Sequence, residues 1–451
     1  MNTKIAVTGA GHLLVKRILS PFLYRRQWLR QTERLAAPAL AEIQLRLLKR
    51  LVRHAYEAVP YYRRIMDERG IAVGDIRTLD DIRCFPILTK KDVLEAGPAL
   101  VARTRCPWLR SVGRTGGTTG TPLSLPRNFL SVGNEHAFVR RQWDWAGIGL
   151  LDRTAYLSGR VVVDPARTQG PFYAYDPFLR ELVLSTYHLS EETAGEYVEA
   201  IVRHRIRAIV GYPSPIAFLA RICRQSGVRV GLHAVLTTSE TLTETMRETI
   251  ASAFDCQVFD FYGSAERVCY IYTCEQGSYH VIPEYGYTEF VPVEGAESGE
   301  CRAIATGFWN LAMPLIRYDI GDVVIPSDRL CACSRAFPVV KSISGRTGDV
   351  VRMSSGRQFG PTLMARVTKG ANNILEMQIV QDRLDHIILR YVPNREFTDQ
   401  DFAHFQAHVA HHMPSELQIT YERTDRIDRT QSGKMKFIVS KLQDSGGYAH
   451  E

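Results

Sequence analysis

The chain has no run of about 18 uncharged apolar residues, so no stretch of it reads as a membrane-spanning helix. Its first residues lack the pattern of a secretory signal: Leu13 to Val15 is a very short apolar stretch, and Lys16 and Arg17 follow at once. A cytoplasmic protein is the expectation, in which the nine cysteines serve as thiols or metal ligands rather than disulfides. There is no internal repeat and no low-complexity tract. A sequence with 45% apolar and 23% charged residues belongs with soluble globular enzymes, not with disordered or fibrous chains.

Excess positive charge is confined to one segment. Residues 1–54 hold eleven Lys/Arg against two Asp/Glu, more than the whole chain's net charge of +8, so the remainder is close to neutral. A near-neutral body argues against a broad nucleic-acid-binding face. The basic leader reads as a solvated helix face; the alternatives are contact with an acidic surface, a phosphorylated ligand or a membrane. Residues 5–12, Ile-Ala-Val-Thr-Gly-Ala-Gly-His, lack the third glycine and the βαβ context of a dinucleotide fingerprint and are set aside.

What is present is a two-domain pattern. At 451 residues the chain is too long for one ordinary core. Ile43, Leu47, Leu51, Ala55 and Val59 recur every four residues and predict an amphipathic helix over 41–59, ended by Pro60. From about 150 to 330, strand-like runs at 153–157, 208–212, 233–237 and 257–261 alternate with helical patterns at 191–204, 215–226 and 244–254. That alternation predicts an α/β domain with largely parallel sheets, in which ligands bind beyond the carboxyl ends of the strands. After Gly345-Arg346 the texture becomes α+β, with strands over 374–380, 386–392 and 417–422 and a helix over 399–412. The expected division is 1–345, including a basic helical leader over 1–60, and 346–451.

Six segments carry candidate chemistry. Arg114-Thr-Gly-Gly-Thr-Thr-Gly-Thr-Pro122 crowds glycines and hydroxyls into a loop able to wrap a polyphosphate, although no Walker lysine follows. Val235-Leu-Thr-Thr-Ser-Glu240 runs from an apolar strand into a polar turn. Phe259-Asp-Phe-Tyr-Gly-Ser-Ala-Glu266 offers an aromatic face for a purine and a carboxylate suited to Mg²⁺. Met313-Pro-Leu-Ile-Arg-Tyr-Asp-Ile-Gly-Asp322 sets carboxylates on a loop, where they suit ribose hydroxyls. Ile343-Ser-Gly-Arg-Thr-Gly-Asp349 lies where the texture changes, and Arg429-Thr-Gln-Ser-Gly-Lys-Met-Lys436 puts a lysine on a small-residue turn. Each alone is as readily an ordinary turn or helix start.

In series, these segments resemble the adenylate-forming superfamily of acyl-CoA synthetases, peptide-synthetase adenylation domains and luciferases. His54-Ala-Tyr-Glu-Ala-Val-Pro-Tyr-Tyr62, Phe85-Pro-Ile-Leu-Thr-Lys90 and Thr186-Tyr-His-Leu-Ser190 are similar to the phenylacetate–CoA ligase branch and its capsular-polysaccharide-biosynthesis relatives. The resemblance covers about residues 45–440. It implies an α/β fold with a large multilayer N-terminal domain and a small mobile C-terminal α+β domain. It further implies an ATP-dependent, AMP-forming carboxylic acid ligase, an aryl-CoA ligase in this branch, with CoA as co-substrate; a related reading transfers to an amine, a sugar or a carrier protein.

By that resemblance Thr115, Gly116, Gly117, Thr118, Thr119 and Gly120 hold the ATP phosphates. Thr237, Thr238, Ser239, Glu240, Tyr262 and Gly263 frame the adenine. Glu266 holds Mg²⁺, Asp322 the ribose, Arg346 approaches the nucleotide, and Lys434 reaches the carboxylate and α-phosphate. Relatives commonly carry two acidic hinge residues where this chain has Gly348 and Asp349, which bears on the second, thiol-transfer conformation. Tyr212, Pro213 and Phe261 at strand ends are candidates for the acid pocket, and equally for core.

Cys274-x5-His280 and Cys331-x-Cys333 supply three thiolates and an imidazole, a tetrahedral zinc set with no open position and hence structural, with Cys269 in reserve. Some members of the resembled branch carry a comparable cluster. The partners expected are a small carboxylic acid, ATP and a thiol or amine acceptor, on a monomer or homodimer without nucleic acid. Two other classes compete: a zinc-containing nucleic-acid-binding protein and a catalytically dead nucleotide-binding scaffold.

Overall fold

The computed structural model describes residues 22–103, 110–115, 122–293, 299–346, 351–355, 358–359, 367, 371, 373–430 and 434–442, with backbone alone at 110, 344–346 and 358–359. Among these residues no helix is long and apolar enough to cross a membrane.

A twelve-stranded sheet organises the larger part of the chain. Five neighbouring strands are parallel: Glu181–Leu184, Thr154–Leu157, Ala208–Gly211, Ala234–Thr238 and Gln257–Gly263. Helices Ala194–Arg203, Pro213–Gln225 and Glu244–Phe254 lie between them in sequence, as parallel crossovers require. Beyond Gly263 every pairing in this sheet is antiparallel. The expectation of largely parallel pairing therefore fails for half the sheet. Among the described residues no crossover helix occurs between 263 and 346; short connections pair most consecutive strands, while Gly286–Pro292 lies at the sheet edge away from Tyr279–Val281.

Local chemistry fixes these elements. Thr243 caps Glu244–Phe254 by accepting from the Met246 amide at 3.2 Å, and Asp255 ends it in a left-handed conformation at φ +47°. Ile216, Leu219, Ala220, Ile250 and Phe254 bury the helix faces against the sheet, each large side chain contributing roughly 1.5–3 kcal/mol. Gly211 permits the closest approach: a Cβ there would sit 2.0 Å from the Leu157 carbonyl oxygen. This tight junction sends the chain through Tyr212 into the helix that begins at Pro213.

The leader is not simply a solvated face. Helix Ala37–Ala58 buries Leu40, Leu47, Leu48, Leu51, Val52 and Ala55 in the main core. Arg25 stacks on Trp309 at 3.9 Å and on Trp28 at 4.6 Å, and Arg26 donates to both Asp144 oxygens at 2.8 and 2.9 Å. Part of the excess positive charge thus holds the helices down through cation–π and bidentate contacts. A buried pair, Arg141–Glu284 at 2.8 Å, is completed by the Thr32 and Tyr272 hydroxyls at 2.6 and 2.7 Å.

The C-terminal part forms a four-stranded sheet in the order Gln418–Arg423, His386–Pro393, Ile374–Arg383, Ile438–Ser440. Helix Asp399–His412 packs Phe405 and Val409 on it, opened by a Thr398–Asp401 capping box. This sheet docks on the large one. Leu375, Val392, Ile427 and Met435 belong to the same apolar cluster as Ile216 and Met246, and the Arg221 guanidinium donates to the Ile374 carbonyl at 2.9 Å and to that of Leu375.

Candidate active site at the strand ends

The carboxyl ends of the parallel strands and the docked C-terminal turn bring five of the six segments together. At the first, hairpin strands Arg110–Arg114 and Ser124–Asn128 lead into and out of the Gly/Thr loop. Thr115 closes the loop's base: its amide donates to the Leu123 carbonyl at 3.1 Å, and its hydroxyl accepts from the Leu123 amide at 2.8 Å. Gly116, Gly117, Thr118, Thr119 and Gly120 lie outside the described residues, as do Gly348 and Asp349.

The second segment divides by side. Thr237 points into the sheet, where its hydroxyl meets the Asp260 carboxylate at 2.5 Å, so it lines core rather than cleft. Ser239 turns the chain at φ +70°, its hydroxyl 3.3 Å from that of Thr238. Glu240 then reaches back: it accepts from the Ser214 amide at 3.2 Å and from the Met435 amide at 2.8 Å. Burial pushes its carboxyl above the ordinary value, opposed by the hydrogen bonds from Ser214 and Met435 and by Arg429.

Lys434 stands beside Met435, its ammonium 5.7 Å from the centre of the Tyr212 ring. The Thr430 hydroxyl accepts from the Lys434 amide at 3.2 Å. Burial raises the Tyr212 phenol above its ordinary value. Tyr212 and Pro213 are mostly buried, whereas Phe261 is half-buried, packed on Tyr270 at 4.5 Å between ring centres and close against Gly263.

The third and fourth segments meet directly. The Tyr262 phenol donates to Asp322 at 2.5 Å, and burial followed by the Asp322 charge holds that phenol well above its usual range. Glu266 accepts from the Tyr318 phenol at 3.2 Å. The backbone of Arg346 pairs with Asp322 across two strands, which brings the fifth segment to the same place.

Two arginines absent from the expected set stand beside Glu266. Arg127, five residues beyond Pro122, donates to the Ala265 carbonyl at 2.5 Å, and Arg267 reaches Glu135 at 3.5 Å. Burial first, and then the neighbouring Arg267, lower the Arg127 guanidinium's proton affinity. Arg127 Nε, Arg267 Nη1 and Ser264 Oγ are buried without a hydrogen-bond partner. Like charges held together with unspent donors suit an anion. Arg267 follows the Glu266 motif directly, so position alone could have flagged it; Arg127 had no sequence signal.

Away from the cleft, Cys274, His280, Cys331 and Cys333 offer ligand atoms that all lie within 4.8 Å of one another. Cys274 Sγ is 3.6 Å from Cys331 Sγ, and Cys333 Sγ is 3.4 Å from His280 Nε2. A tetrahedral site with Zn–S bonds of about 2.3 Å sets sulfurs about 3.8 Å apart, so the set fits zinc. The Gln276 and Cys333 amides donate to sulfur at 3.4 and 3.5 Å, and His280 Nδ1 faces the Phe337 carbonyl at 3.4 Å. That carbonyl leaves Nε2 for the thiolates. The reserve residue, Cys269, is not in the group and instead accepts from the Thr288 hydroxyl at 3.4 Å.

Known proteins resemble this chain in parts and as a whole. A family model described as the CapK C-terminal domain matches residues 353–441. Protein CapK of Staphylococcus aureus is 22% identical over 90% of this chain and 90% of its own length. Phenylacetate-coenzyme A ligase of Thermus thermophilus is 28% identical, over 71% of this chain and 73% of its own. Among solved structures, 2-hydroxyisobutyryl-CoA ligase in the postadenylation state with 2-HIB-AMP superposes at a TM-score of 0.71 and 18% identity, covering 91% of this chain and 92% of that one. The same ligase in its thioesterification state, with 2-HIB-AMP and CoA, gives 0.56 at 19% identity, over 91% of each chain.

Proposed function

We infer that this chain, which joins the adenylate-forming ligases of the phenylacetate–CoA ligase-like branch by fold and motif order, is an ATP-dependent ligase that makes an acyl-adenylate and passes the acyl group to a thiol. The observation that carries this reading is the meeting of the Lys434 turn with the Glu240 turn, near Tyr212, at the strand ends where the Tyr262–Asp322 and Glu266–Tyr318 pairs also lie. The name of the Thermus relative supplies the acid–CoA reading, and an aryl acid is the substrate class it favours.

Adenylation brings a carboxylate against an α-phosphate, two anions whose approach needs fixed positive charge and donors already in place. Lys434 is proposed to supply that charge as a catalytic residue. Asp322, held by the Tyr262 phenol, accepts from the ribose hydroxyls, and Arg346 approaches the nucleotide from the domain junction. Thr115 to Gly120 are proposed to cradle the phosphates, with Arg127 and Arg267 facing the pyrophosphate through their unspent donors. Glu266 would hold Mg²⁺, which supplies charge neutralisation to the leaving pyrophosphate. Tyr212, Pro213 and Phe261 are proposed to flank the acid. Residues 346–451 act as a mobile unit, withdrawing the lysine so that the acceptor can reach the mixed anhydride.

Zinc at Cys274, His280, Cys331 and Cys333 would be structural, since four protein ligands leave no open position. A second reading concerns the acceptor alone. Residues 353–441 match the CapK C-terminal domain, which makes transfer to an amine, a sugar or a carrier-protein thiol instead of CoA the alternative outcome of the acceptor assay.

The test is Lys434→Ala, assayed in two halves. Acid-dependent pyrophosphate release is expected to fall by about 10²–10³, while thioester formation from pre-made acyl-adenylate persists. Equal loss of both halves contradicts the role given to Lys434.

A further inference from the structure

We propose that Glu240 is a positioning residue that holds the lysine-bearing turn in the adenylating arrangement by gripping the Met435 amide; this rests on the ligase reading above. The resemblance gives Glu240 a place beside the adenine; in the structure both of its oxygens accept from backbone amides. One accepts from the Ser214 amide at 3.2 Å and the other from the Met435 amide at 2.8 Å. Ser214 lies in the first turn of helix Pro213–Gln225, whose N-cap, Tyr212, offers no side-chain cap. The carboxylate therefore does the capping from a neighbouring strand end, where the positive end of the helix dipole also favours it.

The second contact spans 195 residues and joins two sheets. Met435 follows Lys434 directly, so an anchor on its amide fixes the lysine's backbone to within one residue. The Met435 side chain is buried in the apolar cluster that contains Ile216 and Met246. Arg221 grips the carbonyls of Ile374 and Leu375 on the same face. Of these contacts, Glu240 is the one that acts on the lysine turn itself and at the same time on the strand end leading from Thr238. A rotation that withdraws Lys434 must break the Met435 contact while the Ser214 contact stays within the large part of the chain. The carboxylate is then a two-position grip: both amides in the adenylating arrangement, one after rotation. The better superposition on the postadenylation form, 0.71 against 0.56, fits the docked arrangement described here.

Two opposed N–H donors need two acceptors, so an amide side chain of equal size must present its own N–H₂ to one of them. Glu240→Gln should therefore loosen the turn without emptying space. Losing one hydrogen bond to a charged group corresponds to roughly a ten- to hundredfold loss of the docked population.

The experiment compares wild type and Glu240→Gln by acid-dependent pyrophosphate release, by thioester formation from supplied acyl-adenylate, and by hydrogen exchange of the peptide covering 434–442. The result expected is a fall of about tenfold or more in adenylation kcat, an unchanged KM for ATP, retained thioester formation, and faster exchange confined to 434–442. A raised KM for ATP with unchanged exchange overturns the proposal in favour of an adenine contact. Parallel loss of both half-reactions, with exchange rising across the whole small sheet, overturns it in favour of a merely structural role. Should wild type adenylate no acid at all, the ligase reading fails on its own account, and unchanged exchange at 434–442 then sinks the grip as well.

Discussion

Replacing Cys331 with serine tests the cysteine–histidine cluster at the point where it spans the greatest length of chain. Cys274 and Cys331 are 57 residues apart in sequence and their sulfurs lie 3.6 Å apart, at the ends of two different hairpins of the large sheet. A metal that stays bound to both thiolates constrains that loop in the unfolded chain, as a disulfide would. For a loop of this length the chain-entropy relation gives about 4 kcal/mol at 25 °C. Spread over a cooperative unit of roughly 300 residues, that corresponds to a fall of about 6 °C in Tm. The assay is metal analysis of the purified protein together with thermal unfolding, with and without a strong chelator. Wild type is expected to carry one zinc per chain and to lose about 6 °C on chelation, whereas Cys331→Ser should start low in zinc and respond little to chelator. Unchanged zinc content in the variant refutes the reasoning. So does a wild-type Tm that responds to reductant and not to chelator, which would make the 3.6 Å sulfur pair a redox pair instead.

Two further substitutions probe separate parts of the account. Arg141→Ala leaves Glu284 buried at 0% exposure without its cation, and should cost about 3–5 kcal/mol in denaturant unfolding; the paired Arg141→Met/Glu284→Leu replacement should cost clearly less, and equal losses would mean that packing, not charge, dominates. Arg127→Ala removes one unspent donor beside Glu266 and should lower kcat/KM for ATP by about ten- to hundredfold, with Tm little changed; unaltered kinetics would remove the arginine pair from the phosphate site.

Much of the fold was legible because its periodicities are strong. Helices Glu244–Phe254 and Asp399–His412 run over the expected residues, each opened by a threonine cap. The strands at 208, 234 and 257 were legible as apolar runs between helical patterns. The antiparallel half of the large sheet was not. A buried strand such as Tyr270–Thr273 reads as an apolar run whichever way its neighbour points, and direction follows from connection length. The four zinc-type residues were legible as two half-sites of recognisable ligand chemistry, though only the fold shows that the pairs converge.

The candidate site was legible as motifs and not as side-chain partners. Tyr262 and Asp322 sit in two named segments, but nothing in the sequence indicated that one phenol meets the other's carboxylate. Glu240 illustrates the limit most clearly. Its motif marks it as a strand-end residue, while its two amide donors come from Ser214 and Met435, positions with no side-chain signal of their own. Backbone donors are invisible to a reading of residue types. Arg25 and Arg50 show the same limit from the other side, since a basic helix face looks solvated until Trp309 is found against it.

The most direct test of the central claim is pyrophosphate release with ATP and Mg²⁺ across a panel of aryl, fatty and amino acids, using CoA and hydroxylamine as alternative acceptors. Release that depends on one class of acid is expected, with AMP as the nucleotide product and hydroxamate formed when hydroxylamine replaces the natural acceptor. A protein that binds no ATP, or that binds it and releases ADP and phosphate with no acid dependence, would contradict that claim.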